Sequence, residues 1–595
     1  MMMYDECIQL FPERRTLMYI KKSFRKNSGR TYLVIAQKYR NPRTGVSTDR
    51  TIKSLGYLDE LEKLFPDPIA HFTEVARGMT EAENARKKAT LSFSIDEELP
   101  KRSCARKNFG YAAILKVYHS LRLHEFFNNK ARSQKFDFNS NSIMLLLVIS
   151  RVLSPGSKRK AFNEKNNYFE RFSFTLADIY RALSHFARIK QDALRHMHEH
   201  VCKVYGRDTS IIYYDTTNYY FEIDGQDELR RRGVSKEHRP NPIVQMGLAM
   251  DRDGVPVSYG IFPGNLHDSQ TFRNVIGEVR RNYETGRIIV VGDMGMITGD
   301  NIWYLINGKP DKPLNGYVFS FSVRGGTNAF KEYVLDSAGY KTMDGKPVDD
   351  STDFMIKTRR TPRGIDVTKG NGKTMKKTVH EKQVVFWSRK YADKAKADRE
   401  TTLRKAAELI KDPSKYKRAT HYGAAKFLHG IDRDTGEISP EQIVALDLDA
   451  VAEAEKYDGY YSIVTSEFGM SDKDIIKAYR GLWEIEETFR ISKGEISTRP
   501  IYVSREDHIE AHFLSCFISL VVIRLLQKLT GKAFSVGRIV DCLNRISCSV
   551  EQDNIYLFDY RSDVSDAIGN ALGIDFSKKR LRLGDMKKIL GSLKK

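Results

Sequence analysis

Cysteine is scarce in this 595-residue chain: Cys7, Cys104, Cys202, Cys516, Cys542 and Cys548 are its only six. None sits in a C-x-x-C pair and no paired histidines follow at finger spacing, which argues against structural zinc and suits a reducing cytoplasm. Long apolar runs are missing too. The most apolar stretch, Phe513–Ile523, stops at Arg524, far short of the roughly 20 residues a membrane span needs. It reads as a buried helix, and no membrane partner is expected. The N-terminal run MMMYDECIQLFPERR lacks a basic segment followed by a long apolar one, so no signal peptide is expected. Neither an internal repeat nor a low-complexity tract is present. Acidic residues are in deficit, 76 against 98 Lys and Arg, for a net charge of +22. Such an excess attracts polyanions through counterion release, although ribosome-associated and membrane-surface proteins share it.

With 41% hydrophobic and 11% aromatic residues the chain can bury real cores, and its length corresponds to about three to five domains. Residues 31–58 read as two strands around a polar turn, within a small N-terminal α+β module at 1–88. The stretch 89–107, with Pro100 and the cluster Lys101, Arg102, Arg106 and Lys107, has no period and reads as a basic linker. From 108 to 206 the apolar period is helical (Ile114, Val117, Leu121, then Ile143, Leu146, Leu147), marking a helical domain and a candidate for DNA binding.

Residues 207–324 change character. Ile211–Asp215 is a short apolar strand, and Ile243–Met250 and Val255–Phe262 flank the turn Asp251–Gly254. Asp268 and Ser269 can cap a helix to about Tyr283, and RIIVVG (287–292) has the pattern of a strand covered on both faces. A helix near Asn301–Ile306 and a strand at Tyr317–Val323 complete the series. The fold class is therefore α/β, with a mixed sheet of the ribonuclease-H type. Residues 325–458 are broken into short strands and a charged helix, and read as an insertion domain. The core resumes over 459–550 with the strand Tyr460–Thr465 and a long helix opened by the capping-box pair Ser471 and Asp474. Residues 551–595 read as a basic C-terminal segment.

Two acids interrupt apolar strands. Asp215 stands in IIYYDTTNYYFE and Asp293 follows RIIVVG, with Gly295 allowing close backbone approach. A carboxylate at a strand end is costly unless it is solvated, paired or bound to a metal. Alone, either is as well explained as a strand-end cap; two within one α/β unit point to a site, because sheet ends are where such folds place them. Glu486 supplies a third acid. On the helix from Ser471, residues Ile475, Ala478, Leu482, Ile485 and Phe489 form a core stripe. Tyr479, Glu486 and Lys493 are spaced by seven along one flank of it, with Arg490 one turn beyond Glu486. Glu484 and Glu487 are rival acids that helical geometry turns elsewhere. A solvated face of paired charges would carry the same pattern.

The run YRGLWEIEETFRISKGEISTRPIYV (Tyr479–Val503), followed by HIEAHFLSCFISL, resembles the DDE-class transposases of bacterial insertion sequences. More narrowly it is similar to the branch whose signature reads Tyr-x2-Arg-x3-Glu-x6-Lys. Tyr479, Glu486 and Lys493 match, whereas Leu482 stands at the Arg position. The blocks around Asp215, at Gly247–Phe272 and at Val291–Ile302, also resemble that family, so the likeness runs over about residues 110–530. The resemblance implies a ribonuclease-H-like core with a mostly β insertion. It also implies Asp215, Asp293 and Glu486 as catalytic residues and ligands of two Mg²⁺ (or Mn²⁺) ions. Hard cations choose oxygen donors, and two of them about 3.5–4 Å apart clamp the attacking and leaving oxygens of a phosphodiester. The implied partners are element terminal inverted repeats and target DNA, bridged by a homodimer, with a nucleoid-associated location.

Softer DNA-binding roles fall to Tyr479, Arg490 and Lys493, and to Trp303 and Trp483 as stacking surfaces; ion pairing and core packing are the respective alternatives. The Lys101–Lys107 and Lys578–Lys595 clusters are candidate DNA grips. Competing readings are a ribonuclease-H-fold nuclease or resolvase that cuts without joining, and a non-catalytic DNA-binding descendant of a transposase. A two-carboxylate glycosidase fits the basic surface poorly.

Overall fold

The computed structural model describes residues 17–594 except 26–27, 41–46, 86–95, 97, 99–100, 102–105, 238, 284, 308–314, 433, 439–443 and 552–553. The chain groups into two compact units, Met1–Ser103 and Cys104–Lys595. In the first, strands Met18–Arg25, Arg30–Arg40 and Ser47–Tyr57 form an antiparallel sheet in that order. The helix Pro68–Ala85 lies against the first strand, where the Met18 amide donates to Thr80 Oγ1 at 3.0 Å. Two of these strands match the expected pair. The first gives no signal in the residues, because its outer half is exposed and lacks a buried alternation. The expected polar turn lies at 41–46, outside the described residues.

The second unit is built on an eight-stranded mixed sheet. Its strands are β1 (Ile211–Tyr220), β2 (Ile243–Met250), β3 (Pro256–Pro263), β4 (Ile289–Gly292), β5 (Gly316–Phe321), β6 (Phe354–Thr368), β7 (Thr374–Ser388) and β8 (Tyr460–Thr465). Their spatial order is β6-β7-β8-β5-β4-β1-β2-β3. Only β1–β4 and β4–β5 pair in parallel; all other neighbours are antiparallel. The central strands are buried on both faces, as their continuous apolar runs require. One face is covered by α1 (Asp268–Asn282) and the short helix Gly299–Ile306, which pack on Ile212, Tyr214 and Val290. The other carries α2 (Asp472–Arg480), α3 (Trp483–Lys493) and α4 (Glu506–Leu529) against Tyr213, Tyr219 and Val291.

Several expectations change. The helices of 108–206 do not enclose a core of their own: their apolar faces join α4 and the sheet in one continuous cluster. Helix α4 passes the length and hydropathy test for a membrane span, yet it is buried along nearly its whole length and serves as the central post of that cluster. The expected insertion is partly core: its long hairpin β6–β7 extends the central sheet through β7–β8 pairing. The remainder divides: the helix Arg389–Lys411 and the residues after it build a small separate cluster, whereas Phe330, Val334, Tyr340 and Tyr457 pack on Val385 of β7. The end of the expected linker is a strand, Lys107–Asn108, paired with Ser547–Cys548. The basic C-terminal segment is likewise folded, with strands Ile555–Phe558 and Arg580–Arg582 completing that four-stranded sheet. Its charges are largely paired, Lys594 with Glu170 at 2.7 Å and Arg580 with Glu551 at 3.0 Å. Long-range pairing of this kind leaves no local period to read.

Candidate active site

Asp215 is not at a strand end. β1 continues to Tyr220 because β2 pairs along it, with Asp215 opposite Leu248. The parallel ladder to β4 does end nearby, at Tyr213 opposite Val291, so β1 and β4 diverge just before Asp215. Beyond the last strand residue, Gly292, Asp293 caps a short 3₁₀ turn and its Oδ1 accepts from the Gly295 amide at 2.9 Å. A Cβ on residue 295 would lie 3.1 Å from that oxygen, which gives the glycine a physical reason. The two acids thus meet at the divergence of two parallel strands, the kind of crevice where open sheets bind ligands.

Their electrostatics agree. Burial pushes the Asp215 carboxyl up to about 7, opposed by Lys236 and reinforced by the negative charge of Asp293. Asp215 Oδ1 also accepts from the Thr216 amide at 2.7 Å. Asp293 is open to solvent at its rim but deep enough among protein atoms that desolvation raises it too; the Gly295 amide and Lys236 work against the rise. A third acid acts on both. Asp268, the first residue of α1, adds its charge to each carboxyl and is held by the side-chain amide of Gln245. In the sequence Asp268 reads only as a helix cap; the cap is in fact His267. Lys236 has no sequence signal at all. It lies in the 221–242 connection between β1 and β2, where its Nζ donates to the Thr216 carbonyl at 2.6 Å, and no local pattern marks it.

Glu486 arrives on a different element. The expected long helix is two, α2 and α3, joined by a tightened turn in which the Leu482 amide donates to the Tyr479 carbonyl at 3.0 Å. The cause is contact with β1: a Cβ on Gly481 would fall 1.9 Å from the Tyr213 hydroxyl. The seven-residue spacing of Tyr479 and Glu486 therefore crosses a joint. From there α3 runs along β1, with Gly481 over Tyr213 at one end and Ser492 hydrogen-bonded to Tyr219 at 2.8 Å at the other. Asp215 lies on the same strand face between those two tyrosines. The expected stripe is buried: Ile475, Ala478, Leu482, Ile485 and Phe489 are all below a tenth exposed.

The three glutamates of α3 separate cleanly. Glu484 and Glu487 turn toward α4, where both pair with the buried Arg524 and Glu484 also takes Lys532 at 2.6 Å. Glu486 is exposed and makes no hydrogen bond or ion pair among the described residues. Its charge reaches Tyr479, whose hydroxyl is raised by burial, eased by Ser320, and raised further by Asp293 and Glu486. The charge of Asp293 thus acts on Asp215, and Glu486 shares with Asp293 a common neighbour in Tyr479. Among the described residues no three His, Cys, Asp or Glu side chains converge closely enough to hold one metal ion. The donor chemistry nonetheless fits a hard cation: oxygen only, two carboxylates raised chiefly by desolvation, and an unpaired third acid on the flanking helix.

The remaining expectations divide. Lys493 is partly buried and paired with Glu237 at 3.2 Å, and desolvation lowers its ammonium to about 8. Arg490 is largely exposed, 3.6 Å from Glu487. Trp483 is 55% exposed, so it is not core. Trp303 is half-buried on the opposite sheet face, with Lys377 over its ring at 5.0 Å. His512 is a satisfied core histidine, bonded to Thr498 and Lys158.

An acid pair at a strand divergence, flanked by cations on a basic protein, marks a nucleic-acid-processing enzyme. The family model described as Transposase DDE domain matches residues 221–522, just over half of the chain, and that of the IS1634 family transposase, N-terminal domain, matches residues 20–90. The chain belongs to the DDE-class insertion-sequence transposases. Asp293 and Glu486 fall inside the DDE match, and Asp215 stands six residues before it. No curated protein matches.

Proposed function

We propose that this chain cleaves DNA at the ends of its element and joins them to target DNA, by in-line phosphoryl transfer at Asp215, Asp293 and Glu486. The observation that carries this is the pair Asp215 and Asp293, both desolvated where β1 and β4 diverge, with the charge of Asp293 acting on Asp215. The order β3-β2-β1-β4-β5, with β4 and β5 parallel to β1, supports a ribonuclease-H-like core. Asp215, Asp293 and Glu486 would hold two Mg²⁺ or Mn²⁺ ions, which supply charge neutralisation at the attacking and leaving oxygens.

The chain's own residues do the rest. Lys236 balances the acid pair in the DNA-free protein. Tyr479, which feels the charge of both Asp293 and Glu486, orients a terminal phosphate through its hydroxyl. Lys493, exposed Arg490 and exposed Trp483 line the approach for DNA; Trp303, on the far face, is given no part at the reacting phosphate. The N-terminal unit and the helical layer of 108–206 would read the terminal repeats, and a homodimer would bridge two ends in the nucleoid.

The test uses a plasmid carrying the DNA that flanks this gene. Asp215→Asn, Asp293→Asn and Glu486→Gln should each abolish cleavage and joining while sparing DNA binding. Retained cleavage in one variant removes that residue from the trio. Cleavage by the parent without joining favours the nuclease reading.

A further inference from the structure

The 221–242 connection carries a second feature beside the acid pair. It lies along the second half of β1: Asn218 Nδ2 donates to the Val234 carbonyl at 3.0 Å and Lys236 Nζ to the Thr216 carbonyl at 2.6 Å. From it Glu237 reaches back to the end of α3. One carboxylate oxygen meets Lys493 Nζ at 3.2 Å and the other the Arg499 guanidinium. Among the described residues Glu237 is the one acid ion-paired with either cation. Lys236 acts on the same point, since its charge lowers Lys493 as well as the two aspartates. The guanidiniums of Arg499 and Arg239 also lie over the ring of Tyr220, at 5.4 and 4.1 Å.

Two cations thus meet on a single carboxylate, on the flank of the proposed reaction centre, with the charge of Lys236 acting on one of them. A local surplus of positive charge is unfavourable unless an anion is meant to fill it. A carboxylate shares with a phosphodiester its single negative charge and its two oxygens, the geometry that an Arg fork and a Lys recognise. The acid, moreover, comes from a connection whose one strand-type contact among the described residues is the isolated bridge Arg231–Ile243, whereas Lys493 and Arg499 are set by α3 and the segment after it.

We infer that Lys493 and Arg499 form a binding site for a DNA backbone phosphate adjoining the reacting one, and that Glu237 occupies it as an internal stand-in until DNA displaces it. This rests on the DNA reading above and adds to it one phosphate ligand, Arg499, and a competitor. Entering DNA then exchanges one anion for another, so Glu237 weakens DNA binding and blunts its salt dependence.

The test is titration of the full-length protein with a 30-base-pair duplex of mixed sequence, from low to moderate salt. With Glu237→Gln, the freed cations hold salt anions that DNA must release. Affinity at low salt should rise by roughly threefold to tenfold, and the slope of log affinity on log salt should steepen by about 1–2. Adding Lys493→Gln or Arg499→Gln to that variant should cancel the gain. Should Glu237→Gln fail to fold, Lys493→Gln with Arg499→Gln in the parent serves instead, and should cost less than about tenfold, because Glu237 already occupies both and offsets one of their two charges. Unchanged affinity and slope in Glu237→Gln, or a larger loss in the parent double variant, overturns the inference alone. A parent that binds no duplex overturns the DNA reading beneath it.

Discussion

Replacing Arg524 with methionine tests whether the glutamates of α3 divide as described. The Arg524 side chain is 1% exposed and donates to the Gly254 carbonyl at 2.9 Å, to Gln527 at 2.8 Å and to Glu487 at 3.0 Å, besides pairing with Glu484. Its removal strands Glu484 and Glu487, whose side chains are 10% and 14% exposed. Breaking a buried pair from one side costs about 3–5 kcal/mol. Lys532 still serves Glu484 and Arg490 lies near Glu487, so about 3 kcal/mol is expected. Glu486→Gln, two positions from Glu484, has no partner to strand and should stay within about 0.5 kcal/mol of the parent while losing activity. Denaturant unfolding followed by tryptophan fluorescence reads the right unit, because all three tryptophans (Trp303, Trp387, Trp483) lie within Cys104–Lys595. The division of roles fails if Arg524→Met unfolds within about 1 kcal/mol of the parent, or if Glu486→Gln is destabilised as much as Arg524→Met.

Two further outcomes are expected. Burial holds His119 down at about 3, His196 and His198 at about 4, and His512 well below its ordinary value. The unfolded chain therefore takes up protons below about pH 6.5 that the folded one refuses, and stability falls from pH 6.5 toward 4 by about 1.4 kcal/mol per pH unit for each net proton. Asp215, raised to about 7, runs the other way, as do the raised Asp251, Asp293 and Glu278, while His124, His185 and His508, also lowered by burial, add to the fall; unfolding midpoints that do not fall between pH 7 and 5 would contradict this account. Millimolar Mg²⁺ should raise the melting temperature of the parent, as a ligand present at a hundredfold its Kd adds about 2.7 kcal/mol. The Asp215→Asn, Asp293→Asn double variant should lose that rise, and an equal rise in both would place the cation elsewhere.

What was legible in the sequence was local. An acid breaking an apolar strand, as at Asp215 and Asp293, shows in the residues beside it. So do the stripe Ile475–Phe489, the Ser471 cap, whose Oγ accepts from the Asp474 amide at 3.1 Å, and the burial of Phe513–Ile523. Each depends on a period of two or 3.6 residues, which a short stretch of chain displays by itself. The transposase blocks were legible for the same reason, being contiguous.

Tertiary structure alone decided which distant groups met. β1 runs past Asp215 because β2 pairs with it, and the helix yields at Gly481 because the Tyr213 phenol occupies the space of a side chain. Glu484 and Glu487 are structural and Glu486 free because Arg524 comes from α4, nearly forty positions on. Lys236 and Glu237 reach the site from a connection without a pattern of its own, and Asp268, legible only as a helix start, is set beside the two aspartates by the packing of α1. Charges act through space and are indifferent to sequence separation, so a lone lysine or glutamate takes its meaning from the fold that sets it against its partners.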